Sequence, residues 1–270
     1  MLLTQGDRPD GLRRAIRSVS DTSVVVVANG CAAPELDESA TVATLPANLG
    51  VPGGRHIGVD ESSSDIVGFL DDDAEFRGST AQIVEAFDEP TVGAVSLRLI
   101  DEGGETVRRH VPRAGGGGAD ESGDVALFLG GACAIRREAY EQVGGYFTEL
   151  FYGHEEVELA WRLIDAGWTI RYLADVEVFH PKTEISRHAD GWRLTGRNRV
   201  WIARRTLPWA IALPHVSIWL VLGAFRAPKG DCRQSYLRGW WSGWSDPIDR
   251  RPISWRGVWR LTKLRRPPII

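Results

Sequence analysis

The chain has 270 residues, 43% of them hydrophobic and 25% charged, enough apolar content to bury a sizeable core and too much for a disordered tail. Its net charge of −4 is uneven: residues 226–270 hold eleven Lys or Arg against three Asp, leaving −12 on the first 225 residues. The two parts therefore face different partners, and the acidic main body argues against a broad nucleic-acid-binding face. Cys31, Cys133 and Cys232 are odd in number and widely spaced, which offers no metal-finger pattern and suits a reducing compartment without disulfides.

In chain order, residues 1–4 are a short apolar start, and Asp7 and Asp10 then interrupt the apolar run that a signal peptide needs. The expectation is a cytoplasmic protein. Residues 8–19 carry Leu12, Ala15, Ile16 and Val19 at helical spacing, and residues 23–28 are a β-branched run that ends in Asn29-Gly30. Residues 66–70 form a further strand-like run that delivers Asp71, Asp72 and Asp73; residues 82–87 read as helix and 92–99 as strand. Strands alternating with helices predict an α/β fold, a Rossmann-like, mostly parallel sheet with helices on both faces. In such sheets ligands sit beyond the carboxyl ends of the strands. Asn29-Gly30 and the three aspartates are both strand-end features, so both are expected on one edge.

Like charges side by side repel, so the aspartate triplet calls for a positive partner. Asp71 and Asp73, one residue apart on a strand end, project to the same side, and their hard oxygens suit Mg²⁺ or Mn²⁺ holding a diphosphate. The alternative is an acidic turn in solvent. Residues 115–118 lie in GGGGADESGD and read as a flexible linker or a lid, the linker being preferred. A Gly130-Gly131-Ala132 strand start follows, then a helix at residues 137–143. A second helix at 155–166 has Leu159, Ala160, Leu163 and Ile164 as its apolar face. Glu155, Glu156 and Glu158 fall in its first turn, where acids complement the helix dipole; one of them projecting into a cleft could instead act as a general base.

Residues 207–225 (LPWAIALPHVSIWLVLGAF) are almost wholly apolar. The run is near the lower limit of roughly 17 residues for a spanning helix, with Pro208, Pro214 and His215 against it, so a helix lying in the interface or packed on the domain is expected. The basic tail beyond it holds Trp240, Trp241, Trp244, Trp255 and Trp259. Cations with amphipathic rings suit an anionic bilayer surface; the alternative is a charged face whose tryptophans dock on the core.

Taken in order, the motifs resemble those of a family 2 glycosyltransferase, an inverting, nucleotide-sugar-dependent enzyme of the GT-A fold. They are Asn29-Gly30; Asn48-Leu49-Gly50 with Gly53-Gly54-Arg55; Phe69-Leu70-Asp71-Asp72-Asp73; Gly130-Gly131-Ala132; Val143-Gly144-Gly145-Tyr146; Glu155-Glu156-Val157-Glu158 with Arg162; Ala166-Gly167-Trp168; and Val178-Phe179-His180. The resemblance covers residues 1–205, the expected catalytic domain, with residues 206–270 as a helical, membrane-associating extension. It implies that Thr4, Asn29, Asn48, Arg55, Asp71 and Asp72 serve the nucleotide, and that Asp73 and His180 hold Mg²⁺ or Mn²⁺. Glu156, or its neighbour Glu155, would be the catalytic carboxylate. Gly130, Gly131, Ala132 and Arg197 would border the donor or acceptor pocket, with Asn198 beside Arg197 near the diphosphate.

The implied partners are a nucleotide-diphosphate sugar, a glycan or lipid-linked acceptor and the inner face of the cell membrane, with no nucleic acid. A nucleotidyltransferase would bring a Gly-rich basic loop near its start, for which Gly6, Arg8 and Gly11 are too sparse. A non-catalytic nucleotide-sugar-binding protein is the remaining alternative.

Overall fold

The structure, a computed structural model, describes residues 1–36, 40–182 and 190–269. The first half alternates as the sequence periodicity predicts: β1 (Leu2–Thr4), α1 (Pro9–Ser18), β2 (Val24–Asn29), β3 (Ala40–Leu45), α2 (Gly50–Asp60) and β4 (Ile66–Asp71). After a short β5 (Glu75–Arg77) come α3 (Thr80–Ala86), β6 (Val92–Ile100), β7 (Gly123–Val125), β8 (Ala132–Arg136), α4 (Arg137–Gln142), α5 (Glu155–Ala166) and β9 (Thr169–Phe179). Four helices complete the chain: α6 (Gly191–Thr206), α7 (Trp209–Arg226), α8 (Asp231–Ser245) and α9 (Trp255–Lys263).

The strands form one sheet in the order β3-β2-β1-β4-β8-β6-β9-β5, with β7 also paired to β9. Pairing is parallel through β3, β2, β1 and β4, and again between β6 and β9. Between those blocks β8 runs antiparallel to both neighbours. That reversal positions the site: Leu70 pairs with Ala132, so the start of β8 meets the carboxyl end of β4. Leu3 pairs with Asp71 and Thr4 with Ala28, which sets Thr4, Asn29 and Asp71 along one edge. Every residue of β2 is buried, as expected of a strand covered on both faces.

Helix α2 forms from GVPGGRHIGVD, a run whose glycines and proline disfavour helix interiors. Packing supplies the reason. A Cβ on Gly54 would lie 2.3 Å from Leu3 Cδ1, and one on Gly58 would lie 2.5 Å from the Met1 side chain. Only glycine lets α2 lie this close to the start of the sheet.

The segment expected to be a linker is instead folded back on the sheet. Arg108 Nε donates to the Gly115 carbonyl at 2.7 Å, Arg113 donates to the carbonyls of Gly118 and Glu121, and the Tyr172 hydroxyl donates to the Ala119 carbonyl at 2.8 Å. These bonds satisfy backbone groups that a free linker would leave to water.

The parts that the sequence divides at 205/206 share one core, in which Leu163 of α5 packs in a cluster with Ile202 of α6, Val216 of α7, Trp240 of α8 and Leu261 of α9. Helices α6 and α8 cross at glycines: a Cβ on Gly239 would lie 1.9 Å from the Arg193 carbonyl oxygen, and one on Gly196 would lie 2.2 Å from that of Tyr236. The tail tryptophans differ in burial. Trp240 is buried and donates to the Val216 carbonyl at 3.2 Å, whereas Trp241, Trp255 and Trp259 are exposed.

Candidate active site

The aspartates at the end of β4 are met by two arginines and a histidine from separate segments. Arg8, just before α1, reaches Asp72 Oδ1 and Asp73 Oδ2, both at 3.0 Å. Arg55, buried in α2, reaches Asp71 Oδ1 at 3.2 Å. His180, just past β9, places Nε2 3.7 Å from Asp71 Oδ2 and 3.4 Å from Asp73 Oδ1. Burial pushes the Asp72 carboxyl up to about 6, against the opposing Thr4 hydroxyl and Arg8. For Asp71 the balance is reversed: burial works to raise its pKa, but His180 and Arg55 hold it down at about 2.

Ligand atoms of Asp71, Asp73 and His180 all lie within 4.8 Å of one another. His180 Nδ1 is 2.8 Å from the Pro181 carbonyl oxygen. A proton on Nδ1 satisfies that carbonyl and leaves the Nε2 lone pair facing the carboxylates, the tautomer a metal requires. Two carboxylates and one imidazole form a donor set that fits Mg²⁺ or Mn²⁺. Burial disfavours the imidazolium, but the two aspartates outweigh it and raise the His180 pKa. Asp71 thus groups with Asp73 and His180 as well as lying on the edge with Thr4 and Asn29. Asp72 turns away from that group to Arg8 and Thr4.

The other carboxylate set lies across Arg55, whose NH1 is 3.1 Å from Glu156 Oε1 and 3.8 Å from Glu155 Oε1. Adjacent in sequence, the two glutamates differ in setting. The Glu155 side chain is 4% exposed and Glu156 22%, and Glu155 Oε2 has no partner. Glu158 is fully buried and paired to Arg162 and Arg205. Glu156 is therefore the first-turn acid that faces the opening. Burial, reinforced by the charge of Glu156, raises the pKa of Glu155.

That shift has a measurable sign. A carboxyl whose folded pKa exceeds its unfolded value, about 4.3 for Glu, binds its proton more tightly in the native state. Its contribution is fully present below about 4.3 and is lost as pH rises toward the folded pKa. Glu155→Gln mimics the protonated form, so its thermal midpoint is expected to fall less than that of the wild type across that window. Parallel midpoint-against-pH curves for the two proteins would refute it.

Gly130 and Gly131 keep the space between the two acidic sets open. A Cβ on Gly131 would lie 2.0 Å from Asp71 Oδ2; one on Gly130 would lie 2.0 Å from Glu156 Oε1 and 2.2 Å from Arg55 NH1. Ala132, expected beside them at the pocket, is instead fully buried in the core.

Asn29 is 1% exposed, and its amide donates to Asn48 Oδ1 and the Gly50 carbonyl while its Oδ1 accepts from Leu49 N–H at 2.8 Å. Asn48 Oδ1 also accepts from Gly50 N–H. The pair shapes the turn into α2. Arg197 and Asn198 brace the loop before α5: Arg197 donates to the Glu149 and Leu150 carbonyls and lies on the Trp201 ring, and buried Asn198 lies within hydrogen-bonding distance of the Leu150, Tyr152 and Gly153 carbonyls. Arg197 is thus committed to the chain rather than free for a diphosphate. The loop needs bracing because Phe151 and His154 hold φ of 63° and 74°, left-handed values that cost of order 1–3 kcal/mol each. His154 directly precedes Glu155 at the start of α5, so its backbone angle sets how the chain enters that helix. Arg8 is a site residue the sequence analysis did not assign, since no local pattern marks a cation whose partners lie 64 residues on.

Residues 8–144 match the family model described as glycosyl transferase family 2. The chain is 31% identical over 222 residues to the pre-mycofactocin glycosyltransferase of Mycobacterium tuberculosis (strain ATCC 25618 / H37Rv), covering 76% of this chain and 44% of that one. It is 33% identical over 86 residues to the N-acetylglucosaminyl-diphospho-decaprenol L-rhamnosyltransferase of the same organism, covering 30% of this chain and 28% of that one. The chain thus spans less than half the length of these curated relatives. A crystal structure of GalNAc-T7 with UDP, GalNAc and Mn²⁺ superposes with a TM-score of 0.65 at 16% identity, covering 97% of this chain and 55% of that one. At that identity the likeness concerns the fold, which is of the GT-A type.

Proposed function

The chain belongs to glycosyltransferase family 2, and from that premise we propose that it transfers a sugar from a nucleoside-diphosphate sugar to an acceptor hydroxyl with inversion at the anomeric carbon. The observation that carries this reading is the pairing, across Arg55, of a metal-fitting group on one side and a partly exposed glutamate on the other. Displacing a nucleoside diphosphate leaves charge on the departing phosphates; Asp71, Asp73 and His180 would hold a divalent ion, which would supply electrostatic stabilisation of that charge. Glu156 takes the proton from the acceptor hydroxyl as its oxygen attacks the opposite face of the sugar. Arg55 fixes Glu156 and Asp71 at a set separation, and the missing side chains of Gly130 and Gly131 leave room for the donor sugar between them.

A thermal-shift panel of UDP, GDP and dTDP with and without Mn²⁺ tests the donor reading, since a ligand of the native state raises the midpoint by mass action. One or two nucleotides are expected to stabilise the protein only with metal present. No shift with any of them at millimolar concentration would refute it.

We further propose that the acceptor is lipid-linked or part of a cell-envelope glycan and that the protein works at the cytoplasmic face of the membrane. One relative is named for a diphospho-decaprenol substrate, and α7 is long and apolar enough to cross a membrane, with 22% of it buried. Its exposed residues Trp209, Leu213, Val221 and Phe225 fall on one helical face. That face and the exposed tail tryptophans favour a helix lying on the bilayer. Deleting the tail would strip α8 from α6, so point substitutions are the cleaner test. Leu213→Ser with Phe225→Ser is expected to reduce flotation with anionic vesicles; undiminished flotation would count against the membrane reading.

A further inference from the structure

Beside the proposed site lies a cavity of about 770 Å³ whose wall carries seven arginines and, among the described residues, no aspartate or glutamate. They converge from distant segments: the folded-back arm that includes Arg108 and Arg113, Arg199 on α6, Arg226 at the end of α7, and Arg265 and Arg266 beyond α9. Guanidiniums gathered in one space repel one another, and where Arg199, Arg226 and Arg266 converge the cost of assembling them points to an anion that completes the set.

Arg199 is the sharpest case. Its guanidinium stacks on the Trp219 ring at 3.6 Å, and its Nε is buried without a hydrogen-bond partner. Burial, with Arg266 and Arg226 nearby, lowers its pKa to about 9 against the opposing Tyr236, and burial lowers that of Arg266. Among the described residues no carboxylate pairs with Arg199, Arg226 or Arg266. Three guanidiniums around one space match the fork geometry of a phosphate or diphosphate.

The cavity's position says what the anion is attached to. Val157 and Trp161, which line it, follow Glu156 on α5. On the other side the arm carries His110, whose ring lies 6.2 Å from that of His180. None of Asp71, Asp73, His180 and Glu156 is in its wall, so the cavity adjoins the metal group and the base through Val157 and the arm without including either. Its volume falls in the roughly 300–1,000 Å³ range of small-molecule sites, leaving space for more than a diphosphate.

We propose that this cavity is the acceptor subsite and that it binds the phosphate or diphosphate group of an acceptor whose sugar hydroxyl is presented to Glu156. The proposal rests on the transferase reading above for the role of the site, though not for its affinity for the anion. The two sources of such a group, a prenyl-linked diphosphate and a soluble one, share this chemistry.

The test is calorimetric titration of the full chain with inorganic pyrophosphate and, separately, farnesyl diphosphate, in EDTA so that no divalent ion bridges the probe to the aspartates. Pyrophosphate is expected to bind the wild type and Asp73→Asn alike, and to bind Arg199→Gln and Arg266→Gln about ten- to hundredfold more weakly. Arg226→Gln, nearer the rim, serves if Arg199→Gln lowers the thermal midpoint by itself. Farnesyl diphosphate binding at least tenfold tighter than pyrophosphate supports the proposal with a lipid-linked acceptor, and equal binding supports it with a soluble one.

No pyrophosphate binding, or binding lost in Asp73→Asn and kept in the arginine variants, overturns the proposal. So does the same arginine dependence for phosphatidylglycerol vesicles without any diphosphate, which would make the cluster a general lipid-surface contact. The Mn²⁺-dependent nucleotide shift is measured on the same samples. If it is absent from the wild type while pyrophosphate still binds through the arginines, the transferase reading and the acceptor role fail together and the anion site stands.

Discussion

Glu156→Gln is expected to lower kcat by roughly 10²–10⁴-fold, the usual contribution of a positioned general base, while leaving the metal-dependent nucleotide shift in place. Gln keeps the shape and can still accept from Arg55 NH1 at the 3.1 Å position, so the loss isolates proton transfer from architecture. The neighbouring Glu155→Gln is the control: its carboxyl is buried and its pKa raised, so an amide replaces a group already inclined to be neutral. Single-turnover transfer with either variant separates the two glutamates. Equal loss in both would mean that the pair acts as one unit and that the assignment to Glu156 alone is wrong. The anomeric coupling of the wild-type product, read by NMR, is expected to be opposite to the donor's.

The second large effect is expected from Asp73→Asn, which should abolish the Mn²⁺-dependent part of nucleotide stabilisation. At a nucleotide concentration 100 times Kd that part amounts to about 2.7 kcal/mol in the wild type. Asp73 lies between a cation it must keep and a ligand set it must complete: Arg8 holds one oxygen at 3.0 Å while the other lies 3.4 Å from His180 Nε2. The amide retains an acceptor for Arg8 but removes the charge that favours a divalent ion, and chelating the metal from the wild type should reproduce the phenotype. Residual metal-dependent binding at wild-type strength would mean that the metal does not depend on Asp73.

The elements that carry the site were largely legible from local pattern. Valines in an unbroken run ending in Asn29-Gly30, the apolar run into Asp71 and the 3.6-residue spacing after Glu155 each reflect a constraint of one strand or helix, and the structure forms β2, β4 and α5 at those places. Where local chemistry and packing disagreed, packing prevailed. Helix α2 forms despite its glycines because they admit Leu3 and Met1. The glycine-rich arm is held by arginines rather than left as a linker, and Ala132 fills the core while its two glycine neighbours face the acids.

The sequence by itself determined which side chains could do chemistry and which strand ends and helix turn would present them, because backbone periodicity and the 2- or 3.6-residue repeat of apolar positions are local properties. Only the tertiary structure decided how they act together. The antiparallel insertion of β8 brings Gly131 against Asp71. Arg55 comes to bridge Asp71 and Glu156, 85 residues apart in sequence, and Arg197 is committed to the loop before α5. The arginine-lined cavity is the plainest case, since its charges come from distant stretches of chain with no repeat between them. Electrostatics acts through space, and which charges share a space is set by the packing of helices on the sheet.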